Sequence, residues 1–367
     1  MFIIAKRPQR RSANNTCGRI FAVSGDRGCE DLAIINLVSN QPGAGKTCLA
    51  GALAVKSSQM GRRVAYYKPL SVTPEADGDV GFLAPLLVES GSPQEGVPPP
   101  LSQPVSFDDL PTSLSDAHAD QVEANLSSLE STFDLTIVDW EAQATSAKSQ
   151  VVLVFGCPAG APPATVSSAV KERAVHLGDS LAGVVINNVP RHRERELMVD
   201  MVADLREQGL PVLGAIPEDR QMLALTLRQV AEFLGGEWIE DPSDPDRWVD
   251  RFLIGGNILD SGPNYLGRFP YQAVITRAAR PDIQMASLMC NTRLLVLTEG
   301  EEPTEYIRVE AQKRDAALLV VPGNTLETAE SLGALVDMAH PCSRHKLARF
   351  TELAEKHLDG GLGAILP

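Results

Sequence analysis

The fold is decided by two adjoining segments, Leu32-Ala33-Ile34-Ile35-Asn36-Leu37-Val38 and Gln41-Pro42-Gly43-Ala44-Gly45-Lys46-Thr47. The first is a short, almost continuous apolar run, which is typical of a strand covered on both faces. The second is rich in glycine, and a helix-compatible stretch at residues 48–60 follows it and would end at Gly61. Together they predict a strand, a tight loop and a helix.

The tight loop has the composition of a phosphate-binding loop. Small glycines let backbone N–H groups close around a phosphate, where the helix N-terminus adds positive potential. In such a loop Lys46 would reach the β- and γ-phosphates, and Thr47 would ligate Mg²⁺. Asn40 stands where the pattern has its first glycine, and asparagine adopts a left-handed backbone more readily than most residues. The alternative is a glycine-rich turn that binds nothing, but the strand–loop–helix context favours a nucleotide.

Beyond this loop the chain alternates between buried-strand and helix patterns. The predicted strands are residues 64–67, 135–138, 151–155, 181–186 and 212–215, and the predicted helices are 164–176, 194–208 and 220–234. This alternation is typical of βαβ units and predicts an α/β fold with a doubly wound, mostly parallel sheet of the P-loop NTPase type. The six prolines within residues 91–111 indicate a surface excursion.

A second, smaller α/β alternation follows residue 250. Residues 240–250 are acidic and contain proline, a composition that favours a linker. The later strand candidates are 252–254, 273–276, 294–297 and 317–321, with helices at 282–289, 304–313 and 326–338. The predicted organisation is a flexible basic arm (1–31), a nucleotide-binding domain (32–239), the linker (240–250), a smaller domain (251–357) and a tail (358–367).

The composition excludes several classes of protein. A formal net charge of −14, from 33 basic and 47 acidic residues, argues against nucleic acid and anionic lipid as partners. No apolar run approaches the roughly 18 residues that a membrane span needs. The six cysteines form no CxxC pair, which favours reduced thiols and a cytoplasmic location.

Charged side chains follow two of the predicted strands. Asp139 and Glu141 come after residues 135–138, at the carboxyl edge where such sheets bind ligands. Either carboxylate could hold Mg²⁺, directly or through water. Lys68 ends the second strand and could contact a phosphate, and an acidic pair, Asp77 and Asp79, follows it. Each of these residues, taken alone, is more commonly a solvated surface residue.

In this order along the chain, the motifs resemble the dethiobiotin synthetase family of P-loop proteins, and in particular the N-terminal region of long phosphotransacetylases. The resemblance covers about residues 32–236 and rests on the loop together with Tyr67-Lys68-Pro69, Asp139-Trp140-Glu141-Ala142, Gly183-Val184-Val185-Ile186-Asn187 and Leu213-Gly214-Ala215-Ile216-Pro217-Glu218-Asp219. Asn40 and Ala142 depart from the family glycines.

The resemblance implies a role for each matched residue. Lys46 and Lys68 would act on the transferring phosphate, and ATP and Mg²⁺ would be the cofactors. The implied magnesium ligands are Thr47, Asp79 and Glu141. The implied nucleotide-binding residues are Gly43, Ala44, Gly45, Lys46, Thr47, Cys48, Asn187, which would read the adenine, and Pro217.

Residues 250–357 resemble the DRTGG domain that follows the P-loop region in long phosphotransacetylases. The matching segments are Ile254-Gly255-Gly256, residues 274–284, Leu295-Val296-Leu297-Thr298-Glu299-Gly300 and Asn324-Thr325. Ala278 and Ala279 replace the namesake Gly-Asp, and Glu299 replaces a glycine. The acetyl-transferring domain of that family would have to follow Pro367, so acetyl transfer is not expected from this chain alone.

The sequence leaves three functional interpretations. The first is an ATP-binding regulatory protein, expected to form a homo-oligomer and to act on a separate metabolic enzyme or acetyltransferase subunit. The second is an ATP- and Mg²⁺-dependent ligase or ATPase of the dethiobiotin synthetase type, which the missing glycines after Glu141 disfavour. A scaffold with a dead site is a third, which the retained Gly45-Lys46-Thr47 argues against. The cluster His340, Cys342 and His345 is interpreted as incidental rather than as a metal site.

Overall fold

A computed structural model describes residues 33–102, 116–140, 149–256, 262–337 and 343–367. Within these ranges the strands are β1 (Ala33–Ser39), β2 (Val64–Tyr67), β3 (Leu70–Ser71), β4 (Leu101–Ser102), β5 (Leu135–Asp139), β6 (Ser149–Gly156), β7 (Leu181–Val189), β8 (Val212–Pro217), β9 (Leu225–Thr226), β10 (Glu237–Trp238), β11 (Trp248–Val249), β12 (Arg251–Ile254), β13 (Gln272–Arg277), β14 (Thr292–Thr298) and β15 (Ala317–Val320). No helix in the described ranges combines the length and apolar composition that crossing a membrane requires.

The helices cover both faces of the sheets. They are α1 (Lys46–Gln59), α2 (Gly78–Glu89), α3 (Asp116–Thr132), α4 (Pro163–Leu177), α5 (Met201–Glu207), α6 (Leu227–Leu234), α7 (Gly262–Leu266), α8 (Pro281–Leu288), α9 (Glu305–Lys313), α10 (Thr325–Asp337) and α11 (Arg344–His357). A π-helical turn at Arg195–Asp200 leads into α5 and accounts for the longer helix predicted there.

The first sheet has the order β2-β5-β1-β6-β7-β8, and all its pairings are parallel. β1 lies between β5 and β6, so the chain order reverses direction at β1, and α1 begins at its carboxyl end. In doubly wound sheets such a switch point is where ligands bind. The strands are buried on both faces, as their continuous apolar runs predict. The predicted fold class is confirmed.

The second sheet has the order β10-β15-β14-β13-β12, with β10 antiparallel to β15 and the other pairings parallel. Its core includes Leu225, Leu227 and Val230 alongside β13 and β14. The segment predicted as one helix at 220–234 is a 3₁₀ turn, the strand β9 and then α6. Because α6 packs in the core of the second sheet, the structure begins the smaller domain before residue 239.

The segment 240–250, predicted to be a linker, connects two short strands that both pair. β10 extends the second sheet, while β11 pairs antiparallel with β9. Arg247 further donates to the Asp315 carbonyl oxygen at 2.7 Å. The acidic segment is therefore anchored near both ends.

The last helix corrects the predicted organisation. The sequence predicts that residues 344–357 belong to the smaller domain and 358–367 to a tail, but α11 packs on α1 and the core of the first sheet. Phe350, Leu362 and Ile365 are buried there, and Leu358 forms an antiparallel bridge with Gly214 of β8. The second sheet is thus inserted between β8 and the helix that completes the first domain.

Candidate functional site

The phosphate loop lies at the carboxyl end of β1 and has a left-handed backbone at two glycines. Gly43 has φ of 72° and Gly45, the residue before α1, has φ of 108°. A Cβ at Gly45 would clash with the side-chain amide of Asn187. Position 45 therefore requires glycine, because any other L-residue would be strained at this positive φ and its Cβ would have no space.

Asn40 stabilises the loop through its side chain. Its amide Nδ2 donates to the carbonyl oxygen of Gly156 at 3.0 Å, and its Oδ1 accepts from the Gly156 N–H at 2.7 Å. Its backbone is not at positive φ. The departure from glycine therefore ties the start of the loop to the end of β6, rather than supplying a left-handed turn.

Lys46 is paired with a buried acid at the end of β5. Its Nζ lies 3.0 Å from Asp139 Oδ1, and the hydroxyl of Tyr66 donates to Asp139 Oδ2 at 3.1 Å. Burial, followed by the nearby Asp139, raises the pKa of Tyr66 well above its ordinary value, so the phenol stays protonated and donates. Asp139 thus joins the loop lysine to the interior of the sheet.

A second lysine and two further acids form the other half of the site. Thr47 Oγ1 donates to Asp79 Oδ1 at 2.9 Å, which brings two of the predicted metal ligands together. Lys68 Nζ lies 2.7 Å from Asp79 Oδ2 and 2.8 Å from Asp77 Oδ2. Asp77 also accepts from the Ser71 hydroxyl at 2.7 Å and caps the N-terminus of α2.

Two pKa shifts follow from this clustering of charge. Burial lowers the pKa of Lys68, but Asp79 and Asp77 outweigh it, and the net pKa lies above the ordinary value. Burial raises the pKa of Asp77, but hydrogen bonds from Lys68 and Ser71 bring the net pKa below the ordinary value. Both groups are therefore charged at neutral pH.

The donor set is suited to Mg²⁺ bound together with a phosphate. Thr47, Asp79 and Asp139 offer hard oxygen ligands beside the loop. Within the described ranges, no three His, Cys, Asp or Glu side chains form a self-sufficient metal centre. Mg²⁺ characteristically binds through one or two carboxylates plus substrate phosphates, so this arrangement fits it. Glu141, the third predicted ligand, lies outside the described residues.

The remaining predicted nucleotide-binding residues lie around the same edge of the first sheet. Asn187, near the end of β7, donates from Nδ2 to the Ala44 carbonyl oxygen at 2.8 Å, so it contacts the loop itself. Pro217 ends β8 and pairs with Val189 of β7. The Cys48 side chain is buried in the core beneath α1, so it offers a bound nucleotide only its backbone.

Two features of the site are not evident from the sequence motifs. The pattern at Tyr66 indicates only a buried strand, because its partner on β5, Asp139, lies 73 residues further along the chain. No motif points to α11, yet the Phe350 ring lies 3.9 Å from the position of a Cβ on Gly45. The apolar spacing at 347, 350, 353 and 354 is nevertheless typical of a buried helical face.

Two further polar side chains have structural partners. His345 stacks on Trp248 with ring centroids 3.9 Å apart, while His340 and Cys342 lie outside the described residues. Arg191, which follows β7, donates to the Glu218 carbonyl oxygen and to Asp219. His345 and Arg191 thus both have structural partners.

Two protein-family models match the chain. Residues 35–230, more than half of the chain, match the CobQ/CobB/MinD/ParA nucleotide binding domain. The chain belongs to this family. Residues 229–335 match the DRTGG domain, which confirms the predicted order of a P-loop domain followed by a DRTGG domain and places its start within α6. The resemblance to phosphotransacetylases remains a prediction.

Solved structures of this family and of DRTGG domains show distant similarity. Cobyrinic acid a,c-diamide synthase from Mycobacterium smegmatis with bound ADP and magnesium is 15% identical over 52% of this chain and 88% of its own, with a TM-score of 0.34. MinD from Pyrococcus horikoshii OT3, complexed with Mg-ADP, is 17% identical over 52% and 83%, with a TM-score of 0.34. The CBS and DRTGG domains of a Clostridium perfringens pyrophosphatase, complexed with diadenosine tetraphosphate, are 13% identical over 43% and 77%, with a TM-score of 0.27.

Proposed function

We propose that this chain binds ATP together with Mg²⁺ at the loop between β1 and α1. The observation that carries the proposal is the Lys46–Asp139 pair, in which a loop lysine is held 3.0 Å from an acid at the end of the adjacent strand. Both side chains are largely buried, at 16% and 4% exposure, so the pair is shielded from solvent. A triphosphate would take over Lys46, and the released acid would then face the metal.

The chain's own residues then have distinct tasks. Backbone N–H groups from Gly43 to Thr47 would surround the phosphates at the start of α1. Lys46 and Lys68 would neutralise phosphate oxygens, while Thr47, Asp79 and Asp139 would hold Mg²⁺ directly or through water. When bound, the metal would neutralise phosphate charge.

We further propose a regulatory role in which nucleotide occupancy is communicated to the inserted DRTGG domain. The support is topological: the chain leaves the first sheet after β8 and returns in α11. An ion pair joins these two connections: Arg349 Nη2, on α11, lies 2.8 Å from Oδ2 of Asp219, which follows β8. Arg349 is adjacent to Phe350, whose ring lies 3.9 Å from the position of a Cβ on Gly45. A change in the relative position of the inserted domain would therefore act on α11 next to the loop. A separate metabolic enzyme or acetyltransferase subunit would be the regulated partner.

The binding proposal is tested by calorimetric titration of ATP with Mg²⁺. Lys46→Ala should weaken binding at least a hundredfold, because it removes the charge that the phosphates would take. Lys56→Ala is the matched control, since Lys56 lies on the same helix but pairs with Glu355 at 3.0 Å, near its far end. Equal affinity in the wild type and Lys46→Ala would overturn the assignment.

The regulatory and ligase interpretations separate in a second measurement. Release of inorganic phosphate is followed with Mg-ATP alone and then with candidate carboxylate or diamine substrates. The regulatory interpretation expects binding with no substrate-stimulated turnover. Stimulated release accompanied by a new amide or ring product would establish the ligase interpretation instead.

A further inference from the structure

Tyr66, on β2, contacts the site from within the core that β2 shares with α1. Its side chain is 1% exposed and lies in the same core as α1. Its hydroxyl contacts Asp139 Oδ2 while Lys46 contacts the other oxygen. The acid is therefore held between a fixed donor behind it and a movable cation in front of it.

We propose that Tyr66 is the positioning residue for Asp139, fixing this carboxylate towards the loop so that it can exchange Lys46 for the magnesium of a bound nucleotide. This inference rests on the proposed nucleotide-binding function and adds a residue that no motif of the chain assigns. Tyr66 itself touches neither phosphate nor metal. It acts by keeping one carboxylate oxygen engaged while the other changes its partner.

The physical need for such a residue follows from the order of events at the site. When a phosphate draws Lys46 away, Asp139 loses its counter-ion in a buried environment, where an uncompensated charge is costly. A hydrogen bond to a charged group is among the stronger ones in proteins. The Tyr66 hydroxyl therefore stabilises the ionised acid through the exchange and prevents it from following the lysine.

The neighbouring tyrosine provides a matched control. Tyr67 is equally buried, but it lies on the opposite face of β2, in the core beneath α3. Its hydroxyl accepts from Asn125 Nδ2 at 3.0 Å and makes no contact with the acids of the site. Tyr66→Phe and Tyr67→Phe thus each remove one buried hydroxyl from the same strand, and only the first removes a contact to Asp139.

The test is the affinity for a fluorescent ADP analogue, MANT-ADP, measured with MgCl₂ and again with EDTA. The dissociation constant in EDTA divided by that in MgCl₂ reports how much the metal contributes to affinity. We expect Tyr66→Phe to reduce this ratio about tenfold, the loss of one hydrogen bond to a charged group. Tyr67→Phe should leave the ratio within twofold of the wild type, although both variants lose thermal stability.

A double-mutant cycle separates positioning from general stability. In an Asp139→Asn background the acid is already lost, so Tyr66→Phe should change the ratio by less than twofold further. If Tyr66→Phe lowers the ratio by the same factor in the Asp139→Asn background as in the wild type, the positioning role is wrong. It is also wrong if Tyr66→Phe and Tyr67→Phe give equal ratios. If wild-type protein shows no Mg²⁺-dependent binding, the nucleotide-binding proposal itself fails, an outcome distinct from the other two.

Discussion

At the scale of single residues, the site is a set of charges that neutralise one another before any phosphate arrives. Lys46 is held by Asp139, and Lys68 by Asp77 and Asp79. Nucleotide binding at such a site would replace lysine–carboxylate pairs with contacts to phosphate and metal. The affinity would therefore reflect the difference in free energy between these two sets of contacts. Without a metal, phosphate binding would leave the carboxylates without their cations. The geometry therefore predicts a strong dependence of nucleotide affinity on Mg²⁺.

Gly45 provides a prediction that separates backbone strain from crowding. Gly61, at the end of α1, also has positive φ, but nothing lies within 4 Å of the position of its Cβ. Gly61→Ala should therefore cost about 1 kcal/mol in the free energy of unfolding, the strain of a left-handed alanine. Gly45→Ala should cost more, because it also displaces the Asn187 amide, and it alone should abolish ATP binding.

Chemical denaturation and ATP titration of both variants check this prediction. Equal losses of stability would show that the Asn187 contact is immaterial. Undiminished ATP affinity in Gly45→Ala would show that the tight loop conformation is not needed for binding.

How far the site could be predicted also depends on the residue. Motif and strand order predict that Lys46, Thr47 and Lys68 lie at one sheet edge, and the family pattern predicts Asp79 with them. The structure places Asp79 against Thr47 and Lys68, while the role of these residues stays a prediction. The role of Tyr66 cannot be predicted in this way. Alternation along a strand identifies the buried face, but it does not show which side chain on another strand the tyrosine hydroxyl contacts. Such contacts depend on register, and the pairing of Tyr66 with Ile137 is a property of the assembled sheet.

At the scale of elements, α11 is the part of the fold with the largest consequence for the site. Its apolar face, including Leu347 and Phe350, packs against the core of α1. Gly51 of α1 allows this close approach, since a Cβ there would lie 2.9 Å from a Leu347 methyl group. The helix that carries Lys46 and Thr47 is thus supported from behind by a segment nearly 300 residues further along the chain.

Phe350→Ala should therefore destabilise the first domain. Removing a buried phenylalanine costs about 3–5 kcal/mol, through lost burial and the cavity that remains. Lys356→Ala, on the exposed side of the same helix, should change the free energy of unfolding by about 0.5 kcal/mol or less. Urea denaturation of both variants measures the difference. A Phe350→Ala variant as stable as Lys356→Ala would contradict the packing of α11 described here.

At the scale of the whole molecule, the second sheet is inserted rather than appended. Sequence periodicity finds its strands and helices, because each has a clear apolar pattern. It does not find the insertion, because the order of elements is the same whether the last helix covers the second sheet or returns to the first. Only three-dimensional packing distinguishes these arrangements, and it places α6 with the second core and α11 with the first.

The insertion changes what proteolysis within residues 240–250 is expected to produce. With an appended domain, a cut there would release two independent fragments. Here the amino-terminal fragment keeps α6, which packs in the second core, and the carboxyl-terminal fragment keeps α11, which packs in the first. The two fragments should co-elute in native size-exclusion chromatography and separate only in denaturant. Separate elution under native conditions would contradict the insertion.

The central claim, that the loop binds a magnesium nucleotide by exchanging Lys46 from Asp139 to phosphate, is tested most directly by a crystal structure. Protein crystallised with Mg²⁺ and a non-hydrolysable ATP analogue should show the phosphates within the Gly43–Thr47 loop. Lys46 Nζ should then lie on a phosphate oxygen, well beyond the 3.0 Å that now separates it from Asp139 Oδ1. An analogue bound at another place, with the Lys46–Asp139 pair intact, would contradict the account.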